Sequence, residues 1–332
     1  MKNLLVTISE KNYLSITKQF LNNVLKKGFW QDDVMLITTE SMNENSLKWF
    51  YDNEIIVKKY PYYFSKEKWY SMLPDGVKHP IVCSKIYLFN IEFKKWKKIL
   101  YLDSDTIIRG SLEQMPQIET FGAVRNKNNP FLHRHFEYHN NKNKDLYHKL
   151  SSDFNLFSPA FNAGVFCFDT SIISEGLVRK FDSLFNKFST ISTFSEQSIL
   201  NLMFSEKWEK LPTYYNYDVN RNMIYHNINP KKINAKILHF NGKMKPWDKD
   251  SYFYDEWNQK RGEVRLGHEA KRNYEIKFSN KKSLGFELYS ILKKITSFKI
   301  RFFISYVLAN YFPEIYKYIK SVIGKNTDKT IS

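Results

Sequence analysis

A short apolar run followed at once by two aspartates constrains the fold of this chain more than any other feature. Residues Ile99 to Leu102 are apolar, as expected for a strand buried on both faces of a parallel sheet. Asp103 and Asp105 follow, and in an extended chain they point to the same side, about 7 Å apart. Both carboxylates can then face one divalent cation at the C-terminal edge of an open α/β sheet, where such sheets bind ligands. The alternative is an aspartate that caps the following turn.

A second segment, His239 to Trp247, gathers the residue types that bind a diphosphate. Ala235 to Leu238 is predicted to form a short strand, so the imidazole leaves its C-terminal end. Gly242 lies in the next turn, where a bare backbone N–H can meet an anion. Lys245 can reach the same anion as a point charge. A surface turn with a half-buried Trp is the alternative interpretation.

Together the two aspartates and His239 supply three ligands of an octahedral Mn²⁺ or Mg²⁺ site. The remaining positions are then left for phosphate oxygens. The sequence therefore predicts that the metal and the diphosphate share one site.

These motifs resemble those of glycosyltransferase family 8. The matching pieces appear in the family's order over roughly the first three quarters of the chain: Leu5 to Ile8, Asn12-Tyr13, Lys85, Asp103 to Asp105, Phe161 to Phe166, Glu196 to Asn201 and His239 to Trp247. The resemblance implies a GT-A fold, which is a Rossmann-like α/β fold with a mostly parallel central sheet. It also implies Mn²⁺ or Mg²⁺ and a UDP-sugar donor, UDP-glucose or UDP-galactose. A hexose would pass, with retention of configuration, to a glycolipid, lipooligosaccharide or polysaccharide.

The same resemblance assigns roles to individual positions. The nucleotide-sugar residues would be Thr7, Ile8, Tyr13, Lys85, Asp103, Ser104, Asp105, Asn162, Ala163, His239, Gly242 and Lys245. Within this set, the Tyr13 ring would stack on the base, and Lys85, on a predicted helix, would reach the donor sugar. Asn162 with Ala163, in a strand predicted from Phe161 to Asp169, would touch that sugar. The alternatives are a Tyr packed on the next helix, a solvated Lys and an Asn that caps a tight turn.

Glu196, Gln197 and Lys245 are the residues expected to act in catalysis. The family usually has Asp-Gln where this chain has Glu-Gln. Gln197 would lie beside the anomeric carbon; because a neutral amide is a poor nucleophile, we expect it to position groups and stabilise charge. Lys245 would steady the leaving diphosphate. Alternatively, Glu196 only stabilises the N-terminus of the helix predicted at Ser198 to Phe204.

Length and composition favour one large domain with an appendage. The chain has 332 residues, 42% of them hydrophobic, enough for one large α/β core. The family resemblance implies that residues 1–260 are the catalytic domain that binds the nucleotide-sugar. Cys83 and Cys167 are the only cysteines, and both fall in apolar contexts. A disulfide framework is therefore not expected, and the composition fits a reducing compartment. With neither a signal peptide nor an 18-residue apolar stretch, the expected location is the cytoplasm.

The end of the chain carries much of the positive charge. Between Lys271 and Lys325 there are 12 Lys and Arg and three Glu, which is +9 of the net +17. Apolar residues recur there at helical spacing, so residues 261–325 are predicted to form a basic, amphipathic helical tail that lies on an anionic membrane surface. Packing on the catalytic domain is the alternative. Residues 326–332 are expected to be disordered, and the protein to be peripheral on the inner face of the membrane.

Other function classes explain fewer features. Asp103-Ser104-Asp105 also resembles the nucleophile loop of haloacid-dehalogenase-like phosphatases, but that loop belongs on the first strand. A non-enzymatic, basic nucleic-acid-binding protein would explain the charge, yet there is neither zinc-finger spacing nor a recognition-helix cluster, so no nucleic acid is expected.

Two segments without periodicity are predicted to be irregular. Arg125 to Asp153 would shape the acceptor side, and Tyr60 to His79 would be an insertion or lid. His133, His135 and His139 have a spacing that could bind zinc, although the first of these segments fixes no Cys or acidic partner beside them.

Overall fold

The computed structural model describes most of the chain up to residue 259. The described residues are 1–72, 79–113, 116–136, 144–219, 233–242, 245–249 and 251–259. The expected domain boundary at 260, the basic tail 261–325, the end 326–332 and His139 lie outside them. One compact unit, Met1–Glu137 with Leu146–Lys271, contains both sheets and the site. Within the described part of the chain, no helix has both the length and the apolar character that a bilayer span requires.

The strands form two sheets. Their bounds are β1 (Leu4–Ile8), β2 (Asp33–Thr39), β3 (Ile56–Tyr60), β4 (Lys98–Leu102), β5 (Thr106–Ile108), β6 (Phe121–Arg125), β7 (Phe161–Asp169), β8 (Trp208–Lys210), β9 (Tyr217–Asp218) and β10 (Ile237–His239). Seven make the central sheet, in the order β3-β2-β1-β4-β7-β6-β8, and β5-β10-β9 make the second. In the central sheet every neighbouring pair is parallel except the two pairs of β7. The mixed α/β fold with a mostly parallel sheet is therefore confirmed.

Helices cover this sheet because their apolar residues recur on one face. Their bounds are α1 (Leu14–Lys27), α2 (Glu44–Asp52), α3 (Lys66–Met72), α4 (Lys144–Asp153), α5 (Glu175–Phe188), α6 (Glu196–Met203) and α7 (Tyr254–Gln259). In α5, Phe181, Phe185 and Phe188 are buried at a spacing of three to four residues. The strands β1 and β4 are buried along their whole length, as expected for parallel strands covered on both faces.

Three local expectations are corrected. Tyr60 to His79 is not irregular throughout, since it contains α3, where Trp69 is fully buried. Arg125 to Asp153 likewise contains α4, whose only buried residues are Tyr147 and Leu150. Few apolar residues give a weak helical pattern, which explains both errors. Lys85 lies on successive 3₁₀ turns, Pro80–Phe89, rather than on an α-helix.

The second sheet brings the end of the described chain back to the aspartates. β10 pairs antiparallel with β5, so that His239 lies opposite Thr106. A backbone hydrogen bond of 3.0 Å from Phe240 N–H to Asp105 O extends this pairing. The two segments singled out in the sequence are therefore neighbours in the fold.

Candidate active site

Asp103 and Asp105 converge because the chain turns between β4 and β5. The expected extended geometry, with carboxylates about 7 Å apart, is wrong. Asp103 to Asp105 lies in a turn, stabilised by a 2.9 Å hydrogen bond that Thr106 Oγ1 donates to Asp103 O. Ser104 is the central residue of this turn and is half-buried. The turn brings both carboxylates to the same point at the C-terminal end of β4.

His239 completes a cluster of three possible metal ligands. One ligand atom from each of Asp103, Asp105 and His239 lies within 4.8 Å of the others, and this is the only group of at least three such residues among those described. His239 Nε2 is 3.3 Å from Asp105 Oδ1 and 3.9 Å from Asp103 Oδ2. The other ring nitrogen, Nδ1, is 2.9 Å from Asn216 Oδ1. The histidines proposed as a zinc alternative, His133 and His135, are not part of any such group.

The electrostatics of the cluster fit a cation. Asp105 Oδ1 is buried and has no hydrogen-bond partner of normal geometry. Burial raises the pKa of Asp105, but His239 and Lys245 outweigh it and hold the pKa below its usual value. Burial lowers the pKa of His239, but the two aspartates outweigh it and the pKa is raised. A buried anionic oxygen that faces a ring nitrogen at 3.3 Å is a place for a proton or a divalent cation.

Gly164 makes room for this cluster. A Cβ atom at this position would lie 2.2 Å from His239 Cε1 and 2.7 Å from Asp103 Oδ2. The Gly164 carbonyl also accepts a 2.8 Å hydrogen bond from Asp103 N–H, so the backbones are in direct contact. Only glycine allows both ligands to approach β7 this closely.

Lys85 is a buried cation that links the aspartates to α6. Its Nζ lies 3.0 Å from Glu196 Oε1 and 3.4 Å from Asp103 Oδ1, and it donates to Ala163 O at 3.2 Å. Burial lowers the pKa of Lys85, but the two carboxylates outweigh it and the pKa is raised, so the ammonium stays charged. Tyr101 also donates its hydroxyl hydrogen to Asp103 Oδ1.

The start of α6 is held against β7 at the cleft. Gln197 Oε1 accepts a 2.9 Å hydrogen bond from Ala163 N–H. Asn201 binds both the N–H and the carbonyl of Phe161, at 2.7 and 3.0 Å. Ser195, just before the helix, has φ 50°, a left-handed conformation that favours glycine, and its hydroxyl donates to Glu196 Oε2 at 3.1 Å. These contacts fix the positions of the Glu196 and Gln197 side chains at the cleft.

Lys245 reaches the cluster from the segment after β10. Its Nζ donates to Asp105 Oδ2 at 2.6 Å and to Phe240 O at 2.7 Å. Gly242 is half-buried in the same segment. The ammonium of Lys245 therefore lies beside Asp105, one of the three candidate ligands.

The expected base-binding residues lie at one side of this site. The Tyr13 ring makes edge contacts with His79 at 5.9 Å and with Trp247 at 6.4 Å between ring centroids. Thr7 is fully buried, so neither its side chain nor its backbone is exposed, and Ile8 is nearly so. His79 contacts Tyr13 and lines the cleft, and no sequence motif singled it out.

A cleft of about 480 Å³ joins half of the residues predicted for the site. Among its lining residues are Lys85, Asp103, Asp105, Asn162, Glu196, Gln197 and His239. Asn126, Asn128, Asn129 and Asn241 form another part of the wall, and the first three come from the segment expected to shape the acceptor side. Sequence reasoning missed Asn216, which touches His239, because it lies in a short polar segment with no pattern.

This arrangement is that of an α/β enzyme whose charged site lies at the carboxyl edge of a mostly parallel sheet. The chain belongs to glycosyltransferase family 8, since the pattern of that family, "Glycosyl transferase family 8", matches residues 7–251. It is therefore a glycosyltransferase, and the phosphatase alternative does not hold. No curated protein sequence matches it.

Solved structures share the fold at low sequence identity. The galactosyltransferase LgtC, in complex with donor and acceptor sugar analogs, is 13% identical, with a TM-score of 0.59 over 79% of this chain and 96% of its own. The bifunctional glycosyltransferase WbbM is 15% identical, with a TM-score of 0.56 over 78% of this chain and 49% of its own. GlyE of Streptococcus pneumoniae is 17% identical, with a TM-score of 0.54 over 78% of this chain and 60% of its own. At these identities the likeness establishes a common fold.

Proposed function

We propose that this glycosyltransferase moves a hexose from a UDP-sugar to a glycan or glycolipid acceptor, with retention of configuration. The observation that carries the proposal is the convergence of Asp103, Asp105 and His239 within 4.8 Å, with Lys245 beside them. The likeness to LgtC, solved with donor and acceptor sugar analogs, supports a sugar donor and a sugar acceptor. UDP-glucose and UDP-galactose are the donors we propose.

Asp103, Asp105 and His239 would hold Mn²⁺ or Mg²⁺ in this scheme. Bound there, a divalent cation neutralises charge on the leaving diphosphate. Lys245 lies 2.6 Å from Asp105 Oδ2 and would give the same diphosphate a second cation. Because the diphosphate gains charge as the glycosidic bond breaks, Lys245 acts more on the transition state than on the bound donor.

Lys85, Glu196 and Gln197 would position the donor sugar. Glu196 and Lys85 form a buried ion pair, and Gln197 is held by Ala163 N–H, so these side chains keep their places before the donor binds. The carboxylate of Glu196, one methylene longer than the family's usual Asp, lies 3.0 Å from Lys85 Nζ. The acceptor hydroxyl would attack the face that the diphosphate leaves, and its proton would pass to the departing diphosphate, which is released as UDP. The asparagines of the cleft wall would bind other acceptor hydroxyls.

Slow hydrolysis of the donor tests this function without knowledge of the acceptor. We expect UDP release from one of a panel of UDP-sugars in the presence of Mn²⁺, with loss of the activity in EDTA and recovery when Mn²⁺ is restored. His239→Ala should lower the rate about 100-fold, since two ligands remain. His148→Ala, exposed on α4, is the matched control and should behave as wild type. Failure of every UDP-sugar to react would contradict the proposal.

We also propose that the basic tail holds the protein on an anionic membrane surface. Support comes from the sequence alone, in which residues 271–325 carry a net charge of +9. Replacing Lys281, Lys282, Lys293 and Lys294 with Gln in the full chain should sharply reduce co-sedimentation with phosphatidylserine vesicles, because each basic residue near such a surface contributes on the order of 1 kcal/mol. The rate of donor hydrolysis in solution is the control and should not change. Co-sedimentation of this variant with the vesicles to the same extent as wild type would contradict the proposal.

A further inference from the structure

We infer that Asn216 is a positioning residue that fixes the tautomer of His239. A chain of three hydrogen bonds, from Gly164 through Asn162 and Asn216 to His239, determines which tautomer this is. The inference rests on the metal site of the proposed function, and Asn216 acts on that site through the ring nitrogen of His239 that faces away from the aspartates. Asn216 is 5% exposed and His239 is 2% exposed, so water does not compete for these bonds.

The chain of hydrogen bonds starts at a group whose direction is certain. The backbone N–H of Gly164 can only donate, and it lies 2.9 Å from the side-chain oxygen of Asn162. That Asn162 atom is therefore an acceptor. Asn216 meets the same oxygen at 2.9 Å, so it must present its Nδ2 amino group there.

The orientation of Asn216 then decides that of His239. With Nδ2 turned toward Asn162, the carbonyl oxygen of Asn216 faces His239 Nδ1 at 2.9 Å. An oxygen cannot donate, so Nδ1 carries the hydrogen. In the neutral ring Nε2 then holds a lone pair, and this is the nitrogen that lies 3.3 Å from Asp105 Oδ1. The unprotonated nitrogen is therefore directed to the place where the cation would bind.

At many metal sites, a residue that does not itself bind the metal forms a hydrogen bond to a ligand, and this geometry gives Asn216 that role. A hydrogen bond from the non-ligating nitrogen holds the imidazole in one orientation and one tautomer, and its loss typically weakens metal binding 10–100-fold. Asn162 lines the cleft, and its side-chain oxygen accepts the hydrogen bond that orients Asn216. The relay thus connects the cleft wall to the metal ligand.

The test measures Mn²⁺ affinity rather than activity. Free Mn²⁺ is followed by electron paramagnetic resonance while the full-length protein is titrated in the presence of UDP. Asn216→Ala removes the acceptor and should raise the Kd for Mn²⁺ 10–100-fold. Asn216→Asp keeps an acceptor for Nδ1–H but loses the amino group that meets Asn162, so its Kd for Mn²⁺ should lie between those of wild type and Asn216→Ala. At saturating Mn²⁺ the hydrolysis rate of Asn216→Ala should recover, because the chemistry itself does not use this residue.

Asn23→Ala is the matched control. Asn23 is 3% exposed and accepts a 2.6 Å hydrogen bond from Ile108 N–H, so its loss should lower the melting temperature without changing Mn²⁺ affinity. An unchanged Kd in Asn216→Ala, or equal weakening by Ala and Asp, would overturn the inference alone. If the wild-type protein binds no Mn²⁺, the metal itself is refuted, and the proposed function and the inference fall together.

Discussion

Gly164→Ala should remove nearly all activity although it adds a single methyl group. The new Cβ would lie 2.2 Å from His239 Cε1 and 2.7 Å from Asp103 Oδ2, distances that real Cβ atoms do not tolerate. His239 is buried, so its ring cannot swing into solvent, and the two ligands must separate. Because displacements of about 1 Å already cost about 100-fold, we expect a loss of about 10³-fold in donor hydrolysis and a large fall in Mn²⁺ affinity.

Gly176→Ala provides the matched control for this substitution. Its nearest neighbour beyond the helix is Ser174 Oγ at 3.9 Å, so a Cβ fits. It lies in α5, where replacing glycine with alanine stabilises a helix by about 0.5–1 kcal/mol. The control should therefore keep full activity and melt slightly higher than wild type. Mn²⁺ binding by Gly164→Ala with wild-type affinity would contradict the close approach of β7 to the ligands.

Lys85→Met should cause the largest loss of stability. Lys85 is 4% exposed and lies between Glu196 and Asp103, so its removal leaves buried carboxylates without their cation. Breaking a buried ion pair in this way costs about 3–5 kcal/mol in the free energy of unfolding. Donor hydrolysis should also fall about 100-fold, since both the sugar-binding side and Asp103 lose their support. Urea unfolding without metal or donor, and UDP release with them, measure the two effects separately.

Two further variants show whether charge is the cause. The double variant, Lys85→Met with Glu196→Gln, removes both charges of the pair. It should recover part of the stability that Lys85→Met alone loses, but not the activity. Lys58→Met breaks an exposed pair, 2.8 Å from Glu92, and should change stability by less than about 1 kcal/mol. If Lys85→Met unfolds at the same urea concentration as Lys58→Met, the buried pair does not have the importance assigned to it.

The sequence predicted the parts of the fold whose pattern is local. An apolar run marked β4, and the strand predicted at Phe161 to Asp169 has the bounds of β7. Asp103, Asp105 and His239 were predicted to converge because carboxyl ends of neighbouring strands meet at one edge. The structure places them together, but through a turn after β4 and through a second, small sheet that no periodicity reveals.

What could not be predicted depends on contacts between distant segments. Asn216 touches His239 because β9 pairs with β10. The strand predicted at Ala235 to Leu238 overlaps β10, but the two residues of β9 carry almost no sequence signal. The need for glycine at position 164 comes from the two side chains above it rather than from a turn. The helices α3 and α4 were missed because exposed helices with few apolar residues resemble loops in composition.

The origin of the candidate ligands from two sheets has a consequence for folding. Asp103 follows a strand of the central sheet, whereas His239 ends a strand of the small sheet, 136 residues later in the chain. Contacts between such distant segments form late, since the entropy of closing the intervening loop must be lost before they form. A partly folded or nascent chain therefore presents the aspartates without the imidazole. At the proposed metal site, high affinity for a divalent ion would therefore arise only in the finished structure, and unfinished molecules would not retain metal.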